Sequence, residues 1–319
     1  MSKGPDGYDI IGDIHGQAGP LEALLERLGY RKRWGVWRYP AGRRQAVFVG
    51  DYIDRNPNAR HVMDLVKGMT EAGAALSVMG NHEFNAVAYH TEDPDEPGAY
   101  LRPHSEKNQR QHGVFLEEME GDEPAHDEAI AWFRTLPMWL DLGELRIVHA
   151  AWVERHHATV ERLADPDAHL SNELLVRASR RGTAEHAAIE CLLKGLEVRL
   201  PDAMSYRDSY GNARARGRVR WWLTEPPALL RDALMGTPAM LRQLGDAPWS
   251  GAWPEDAGYP AAAPPTFVGH YWMAGEPAPL APNVACVDYS AALRGNKLVA
   301  YRWDGEQRLE AGSFVSVPT

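Results

Sequence analysis

Three stretches of the sequence decide the fold: YDIIGDIHG (8–16), AVFVGDYIDR (46–55) and ALSVMGNHE (75–83). Each stretch begins as a short apolar run and changes to glycine and polar residues where that run ends. The segments between them carry apolar residues at helical spacing, namely Leu21, Leu24, Leu25 and Leu28, then Val62, Leu65, Val66 and Met69. Strands that alternate with helices in this way predict βαβ units.

Further apolar runs predict strands in the rest of the chain, at 144–149 (ELRIVH), 266–269 (TFVG), 284–287 (VACV) and 298–303 (LVAYRW). The tail from Cys286 onward alternates apolar and polar residues, which is typical of a half-buried antiparallel hairpin. Residues 91–126 are polar, and their acidic run TEDPDEPG (91–98) predicts a solvated loop.

Polar residues follow five of these strands directly. They are Asp13, His15, Asp51, Asn81, His149 and His270. In open α/β sheets, ligands bind in the crevice beyond the carboxyl ends of the strands. Carboxylate, amide and imidazole ligands without thiolate suit manganese, iron or zinc better than copper. The pattern therefore predicts two divalent metal ions, with manganese expected and iron or zinc as alternatives, in the arrangement used for displacement at phosphorus.

The blocks GDIHG, GDYIDR, GNHE and a late GH (269–270), in that order, resemble the calcineurin-like metallophosphoesterase superfamily. More narrowly, they are similar to its phosphoprotein phosphatase branch, which includes protein serine/threonine phosphatases and bacterial symmetrical diadenosine tetraphosphatases. The resemblance implies an α/β fold of four layers, in which two mixed β-sheets pack face to face with helices outside. We expect residues 1–319 to form one such domain, with insertions at about 91–140 and 154–263.

The resemblance also implies a role for each polar residue. The first ion would be held by Asp13, His15 and Asp51, and the second by Asp51, Asn81, His149 and His270. The nucleophile would be a hydroxide that bridges the two metals.

Three further residues would complete the catalytic machinery. His82 would be the general acid that protonates the leaving oxygen, Asp54 would orient it, and Arg55 would clamp the phosphoryl oxygens. The chemistry of the side chains agrees, because an imidazole is poised to release a proton near neutral pH and a guanidinium offers a planar fork to phosphate. A structural ion pair of Arg55 with Asp54 or Glu83 is the alternative.

The sequence departs from the family pattern at three places. The usual His-Gly-Gly block is His149-Ala150-Ala151, and the usual glycine after GDYVDR is Asn56. Asparagine tolerates left-handed backbone angles, so the turn can be retained there. Trp272 occupies the position of a second histidine ligand found in many superfamily members, which fits the phosphoprotein phosphatase branch.

The basic stretch ARARGRVR (213–220) contains the candidates for a second phosphate-binding arginine, namely Arg214, Arg216, Arg218 and Arg220. If the segment is a strand, period-two alternation puts all four on one face. Their partner is then either an acidic surface patch or a substrate phosphate.

The remaining aromatic and imidazole side chains receive no catalytic role from the sequence. We expect Trp132, Trp139, Trp152, Trp221 and Trp222 in the core. His156 and His157 are predicted to be surface or loop residues. Four other histidines match no motif: His90, His104, His112 and His126.

Composition narrows the class of protein. A net charge of −10 disfavours a dedicated duplex-DNA binder, and no stretch reaches the roughly 18 apolar residues of a membrane span. Two cysteines and an N-terminus without a hydrophobic signal core predict a cytoplasmic location. The expected function is a two-metal-dependent phosphomonoesterase, possible substrates being a phosphoprotein, a nucleotide or a phosphorylated small molecule. The alternatives are a dinucleoside polyphosphate hydrolase and a non-catalytic scaffold.

Overall fold

The computed structural model describes residues 5–40, 43–201, 204–207 and 213–319. The strands in these residues are β1 (Gly7–Ile11), β2 (Arg31–Arg33), β3 (Val36–Arg38), β4 (Arg44–Phe48), β5 (Ala75–Ser77), β6 (Trp139–Asp141), β7 (Arg146–Val148), β8 (Glu197–Arg199), β9 (Tyr206–Arg207), β10 (Ala213–Arg214), β11 (Arg216–Val219), β12 (Leu234–Met235), β13 (Thr266–Val268), β14 (Val284–Cys286), β15 (Lys297–Trp303) and β16 (Phe314–Pro318). The α-helices are α1 (Ala18–Leu28), α2 (Ala59–Glu71), α3 (Asn81–His90), α4 (Glu106–Met119), α5 (Glu123–Arg134), α6 (Glu154–Glu161), α7 (Asn172–Ser179), α8 (Ala184–Lys194), α9 (Leu230–Ala233) and α10 (Pro238–Leu244). Among the described helices, none has the length and apolar character needed to span a bilayer.

The two largest sheets both mix parallel and antiparallel strands. The first has the order β16-β15-β1-β4-β5, in which β1, β4 and β5 are parallel and the C-terminal hairpin is antiparallel. The second has the order β14-β13-β7-β6, in which only β6 is antiparallel to its neighbour. The predicted βαβ units and the predicted C-terminal hairpin are thus confirmed.

One layer of apolar side chains joins the two sheets face to face. The first sheet contributes Ile10 and Val47, the second contributes Ile147 and Phe267, and all four are fully buried. Because side chains alternate along a strand, Ile11 and its equivalents point the other way and pack under the helices. The mixed two-sheet α/β fold predicted from the sequence is therefore present, with helices outside it.

The polar segment 91–140 contains two helices, α4 and α5, that the sequence pattern did not reveal. Helix α4 packs against the start of α2, where the Glu118 carboxylate accepts hydrogen bonds from the backbone N–H groups of Ala59 (2.8 Å) and Arg60 (3.0 Å). A carboxylate there satisfies free backbone donors and complements the helix dipole. The helix that follows the GDYIDR block is consequently capped by the 91–140 segment.

The acidic run is a loop, as predicted, but it is not solvated throughout. Glu92, Asp95 and Glu96 are exposed, whereas Asp93 is buried and forms a bidentate ion pair with Arg180. Since Arg180 belongs to the 154–263 segment, this pair ties the two predicted insertions together.

The fold confirms one prediction about buried side chains and contradicts another. The five tryptophans expected in the core are all buried. The prediction that His156 and His157 are surface or loop residues is wrong, because both are buried on helix α6. The ring of His157 packs between Trp139 (4.3 Å between centroids) and Trp152 (4.1 Å).

The basic stretch 213–220 does not form one strand, so its four arginines do not share one face. Arg214 lies on β10, which pairs with β9, whereas Arg216 and Arg218 lie on β11, which pairs with β8 and β12. Arg220 follows the end of β11. The chain bends between the two strands at Ala215, which breaks the period-two alternation.

Candidate active site

The structure brings the residues that follow five strands to one edge of the paired sheets. Asp13 follows β1, Asp51 follows β4, and His149 and His270 follow β7 and β13. Asn81 opens α3 directly after Gly80, in the loop that follows β5. These side chains are buried, with the exception of His270, which is partly exposed.

Asp51 lies at the centre of the cluster. Its carboxylate oxygens are 3.5 Å from His15 Nε2, 3.4 Å from His149 Nε2 and 3.9 Å from His82 Nε2. Two groups of potential metal ligands share it, namely His15, Asp51 and His82, and Asp51, His149 and His270. Within each group all ligand atoms lie within 4.8 Å of one another.

Asp13 and Asn81 border these groups. One oxygen of Asp13 accepts a hydrogen bond from the backbone N–H of His270 (3.0 Å), and Asn81 Oδ1 lies 3.3 Å from His149 Nε2. The first group thus contains His82 where the sequence placed Asp13. The Nε2 atom of His82 points into this site. That orientation suits a metal ligand and a proton donor equally, and the two roles differ in what replacing His82 does to the metal content.

The residues fit divalent ions. Among the described residues, the buried atoms Asp13 Oδ1 and His270 Nε2 have no hydrogen-bond partner, which is costly for polar atoms unless a ligand satisfies them. His15 and His149 use their Nδ1 atoms to contact the backbone carbonyls of Ile53 (2.9 Å) and Val49 (2.7 Å). These contacts orient both rings with Nε2 toward Asp51, as is usual for histidine ligands of metals.

The two aspartates differ in their electrostatic environment. Burial alone would raise the pKa of Asp51, but the imidazoles of His149 and His82 lower it well below its usual range. Burial and the nearby carboxylates of Asp288 and Asp51 raise the pKa of Asp13 well above its usual range. A cation beside Asp13 would relieve that repulsion.

Burial also affects the imidazoles at the two ends of the cluster. It lowers the pKa of His15 to about 4. Burial, together with the guanidinium of Arg218, lowers the pKa of His270 well below its usual range. Both rings are therefore neutral at pH 7 and have a lone pair available for a metal ion.

His82 belongs to a chain of three buried side chains. Its Nδ1 atom lies 2.5 Å from Asp54 Oδ2, and the other oxygen of Asp54 lies 2.9 Å from His112 Nδ1. Burial alone would raise the pKa of Asp54, but hydrogen bonds from His112 and His82 lower it below its usual range. Asp54 is thus an anion held between two imidazoles.

Arg55 lies at the exposed rim of the site, where its guanidinium stacks over Trp272 at 4.7 Å. The carboxylates of the alternative partners have other hydrogen bonds: Asp54 contacts the two histidines, and Glu83 accepts from backbone N–H groups, including those of Asp51 (2.9 Å) and Tyr52 (2.8 Å). The charge of the guanidinium acts on the imidazoles of His15 and His82, so it lies close to the site.

Left-handed backbone angles are concentrated around the cluster. Non-glycine residues there with positive φ are His15 (47°), Asp51 (56°), Asp54 (66°), Arg55 (73°), His270 (70°) and Trp272 (54°). Such conformations cost about 1–3 kcal/mol each and persist where the surrounding structure enforces them. Strain of this kind is typical of functional sites.

The departures from the family pattern are accommodated locally. The carbonyl of Ala150 accepts hydrogen bonds from Trp221 Nε1 (3.1 Å) and Tyr271 OH (2.9 Å), so the 149–151 loop is fixed in place despite the missing glycines. The turn after GDYIDR is left-handed at Asp54 and Arg55 rather than at Asn56. Asn56 instead donates a side-chain hydrogen bond to the carbonyl of Ala292 (3.0 Å).

Sequence reasoning missed two residues of this site. His112 was given no role, although it shares the apolar face of α4 with Phe115 and Met119 at i, i+3, i+7 spacing. Asp288 follows β14 closely, as the motif residues follow their strands. It accepts hydrogen bonds from the backbone N–H groups of Trp272 (2.7 Å) and Ser290 (2.9 Å) and so holds the loop after His270.

A mixed two-sheet α/β fold with carboxylates and imidazoles gathered at its strand ends is the architecture of a metal-binding hydrolase. Residues 8–173 match the calcineurin-like phosphoesterase family, and the chain belongs to that family.

Two curated relatives carry the same name. The chain is 34% identical over 147 residues to the asymmetrical bis(5'-nucleosyl)-tetraphosphatase PrpE of Bacillus subtilis, a match of 45% of this chain and 57% of that protein. It is 44% identical over 75 residues to the PrpE protein of Halalkalibacterium halodurans, covering 24% of this chain and 30% of the relative. The chain thus spans about half the length of these relatives, or less. Both are named asymmetrical, whereas the branch that the motifs resemble includes symmetrical diadenosine tetraphosphatases beside the serine/threonine phosphatases.

A solved structure shares the fold over most of the chain. It is a protein serine/threonine phosphatase from Saccharomyces cerevisiae, with a TM-score of 0.50 and 14% identity. The match covers 99% of this chain and 81% of the yeast one. At this identity the likeness concerns the fold alone.

Proposed function

We propose that this protein hydrolyses phosphoric esters with the help of two divalent metal ions. The observation that carries the proposal is the pair of ligand groups that share Asp51, with all ligand atoms of each group within 4.8 Å of one another. The first ion would be held by Asp13, His15 and Asp51, and the second by Asp51, Asn81, His149 and His270. Manganese is the expected metal.

The side chains around the ions would bind the phosphoryl group and protonate the leaving oxygen. When bound, two divalent ions activate water as a nucleophile and offset the charge that develops on the phosphoryl oxygens. Arg55, stacked over Trp272 at the rim, would bind the phosphoryl oxygens through its planar fork. His82 would hold a proton on Nε2 for the leaving oxygen, while Asp54 keeps its ring oriented through Nδ1.

A phosphomonoester is the first candidate substrate, including the phosphoserine of a protein. A dinucleoside polyphosphate is the second, and a group of cations beside the site favours it. Arg218 and Lys194 act electrostatically on His270, and Arg102 acts on Asp54. Glu190 forms an ion pair with Lys194 and offsets one of these charges. A chain of several phosphates would use more cations than a single phosphoryl group can contact.

Arg218 is the best supported second phosphate ligand among the arginines of the 154–263 segment. Its Nε atom is buried and has no hydrogen-bond partner within the described residues. Arg216, two positions earlier on β11, is more exposed and forms an ion pair with Glu197 (3.2 Å). The two arginines thus offer a matched comparison on one strand.

A substrate panel with metal-reconstituted protein tests the function. It should compare phosphoserine and phosphotyrosine peptides, mononucleotides and dinucleoside polyphosphates by kcat/KM. Hydrolysis of none of these, with metal bound, would contradict the phosphoesterase proposal. Preference for a dinucleoside tetraphosphate over the monoesters would select the second candidate substrate.

Variants of the two arginines on β11 test which of them contacts the phosphate. Arg218→Ala should lower kcat/KM by at least about tenfold, since a charge-assisted contact to the phosphate is lost. Arg216→Ala should leave it unchanged. If Arg218→Ala also has wild-type kinetics for every substrate, Arg218 does not contact the phosphate.

A further inference from the structure

The carboxylate of Asp54 is held from two sides. His82 contacts Oδ2 at 2.5 Å, and His112 contacts Oδ1 at 2.9 Å. All three side chains are buried, with 8% or less of each residue exposed. No motif pointed to His112, which is separated from Asp54 by 58 positions in the sequence.

A second contact matters because Asp54 lies in an irregular loop. Its φ of 66° places it in the left-handed region, between the end of β4 and the start of α2. Rotation about the last side-chain bond of an aspartate is broad and nearly two-fold, so one hydrogen bond leaves the carboxylate plane poorly defined. A donor on the other oxygen fixes that plane and therefore the direction from which His82 is held.

His112 is itself held firmly. Its ring stacks on Phe115 (5.0 Å between centroids, 25° between planes) and meets the edge of Tyr89 (5.3 Å, 63°). The helix that carries it, α4, is anchored by the contact of Glu118 with the start of α2. Within the described residues, the Nε2 atom of His112 has no hydrogen-bond partner, so Asp54 is the polar contact that orients this ring.

We infer that His112 is a positioning residue, which acts through Asp54 to hold His82 in the orientation needed to protonate the leaving oxygen. The 91–140 segment then supports the catalytic machinery from behind, in addition to any contact with substrate. The kinetic part of this inference rests on the proposed phosphoesterase function. A purely structural role for His112, as filler of the α4 interface, is the alternative.

Leaving-group dependence separates the two roles. His112→Leu removes the donor and keeps an apolar side chain, and His112→Asn keeps an N–H donor close to the position of Nδ1. With metal-reconstituted protein, His112→Leu should lower kcat about tenfold or more for phenyl phosphate, whose leaving group needs protonation. It should lower kcat much less for p-nitrophenyl phosphate and leave KM unchanged, because substrate binding is not affected. His112→Asn should recover most of the activity.

Met119→Ala is the matched control, since it removes another buried side chain of the same helix but leaves the ring contacts of His112 and the carboxylate of Asp54 in place. If Met119→Ala reproduces the selective loss with phenyl phosphate, or if His112→Leu slows both substrates equally, the inference is overturned. The same holds if His112→Asn is as slow as His112→Leu. Should His112→Leu fail to fold, His112→Gln displaces the amide donor by one methylene and serves as the second loss variant.

An NMR measurement makes the test independent of activity. In histidine-labelled protein, the Nδ1 proton of His82, assigned by its loss in His82→Asn, should resonate far downfield because it is bonded to a carboxylate. His112→Leu should shift or broaden this signal, whereas Met119→Ala should not. Suppose that His112→Leu changes the signal but the protein hydrolyses no phosphate ester. The proposed function would then be refuted, whereas the positioning role of His112 would stand. An unchanged signal in an active protein would refute the positioning role.

Discussion

Replacing Gly269 by alanine should weaken the ion site at Asp13 without unfolding the protein. A Cβ atom on residue 269 would lie 2.0 Å from Asp13 Oδ1 and 2.9 Å from Val49 Cγ2. Because carbon and oxygen approach to about 3.3 Å at closest in ordinary contacts, the carboxylate would have to move by roughly 1.3 Å. The other oxygen of Asp13 would then leave its hydrogen bond to the backbone of His270.

The size of the effect follows from this displacement. A shift of about 1 Å at a reacting centre can cost about 100-fold in rate, and disturbed support of a ligand typically costs about 10–100-fold in metal affinity. We therefore expect kcat/KM to fall about 100-fold and manganese affinity to fall at least about tenfold. The fold should survive, because the atoms nearest the new Cβ, Asp13 Oδ1 and Val49 Cγ2, are side-chain ends and not backbone.

Calorimetric titration of chelator-treated protein with Mn²⁺ measures the affinity, and thermal unfolding in chelator measures the stability. Gly68→Ala is the matched control: it adds the same methyl group on α2, where a Cβ atom meets nothing within 4 Å. It should keep metal binding and gain up to about 1 kcal/mol of stability. Wild-type manganese affinity and activity in Gly269→Ala would refute the assignment of Asp13 as a ligand.

Three further predictions concern the ions, the proton donor and a buried histidine. Hydrolysis of p-nitrophenyl phosphate should require Mn²⁺ and stop with a chelator; fewer than about one ion per chain in active protein would contradict the two-metal proposal. His82→Asn should lower kcat by about 10²–10⁴-fold with unchanged metal content, whereas loss of metal would make His82 a ligand. Burial lowers the pKa of His157 to about 3, so between about pH 6.5 and pH 3 the unfolded chain binds more protons than the folded one. The free energy of unfolding therefore decreases as the pH is lowered below about 6.5. In urea unfolding, His157→Phe should therefore gain about 2 kcal/mol relative to wild type between pH 7 and pH 5, and an unchanged difference would count against this cause.

The local sequence pattern alone predicted the central strands and helices of the fold. Apolar runs of strand length and helical spacing predicted β1, α1, β4, α2 and β5, because these elements bury one whole face and their periodicity records it. The position of polar residues after the strands predicted that Asp13, Asp51 and His149 meet at one edge. Asp13 and Asp51 do so because β1 and β4 are parallel neighbours that end together, whereas His149 comes from the second sheet. The order of the motifs indicated the family.

Only the tertiary structure decided which side chains from distant parts of the chain contact these central elements and the site. The sequence carried no local mark that α4 would place His112 against Asp54, or that His157 would be buried between two tryptophans. It also placed Arg216 and Arg218 in one set, although their surroundings differ: Arg216 pairs with Glu197, and Arg218 acts on His270. The physical reason is that periodicity reports which side of an element is apolar. It does not report which distant element covers that side, and the environment of a polar side chain depends on that covering element.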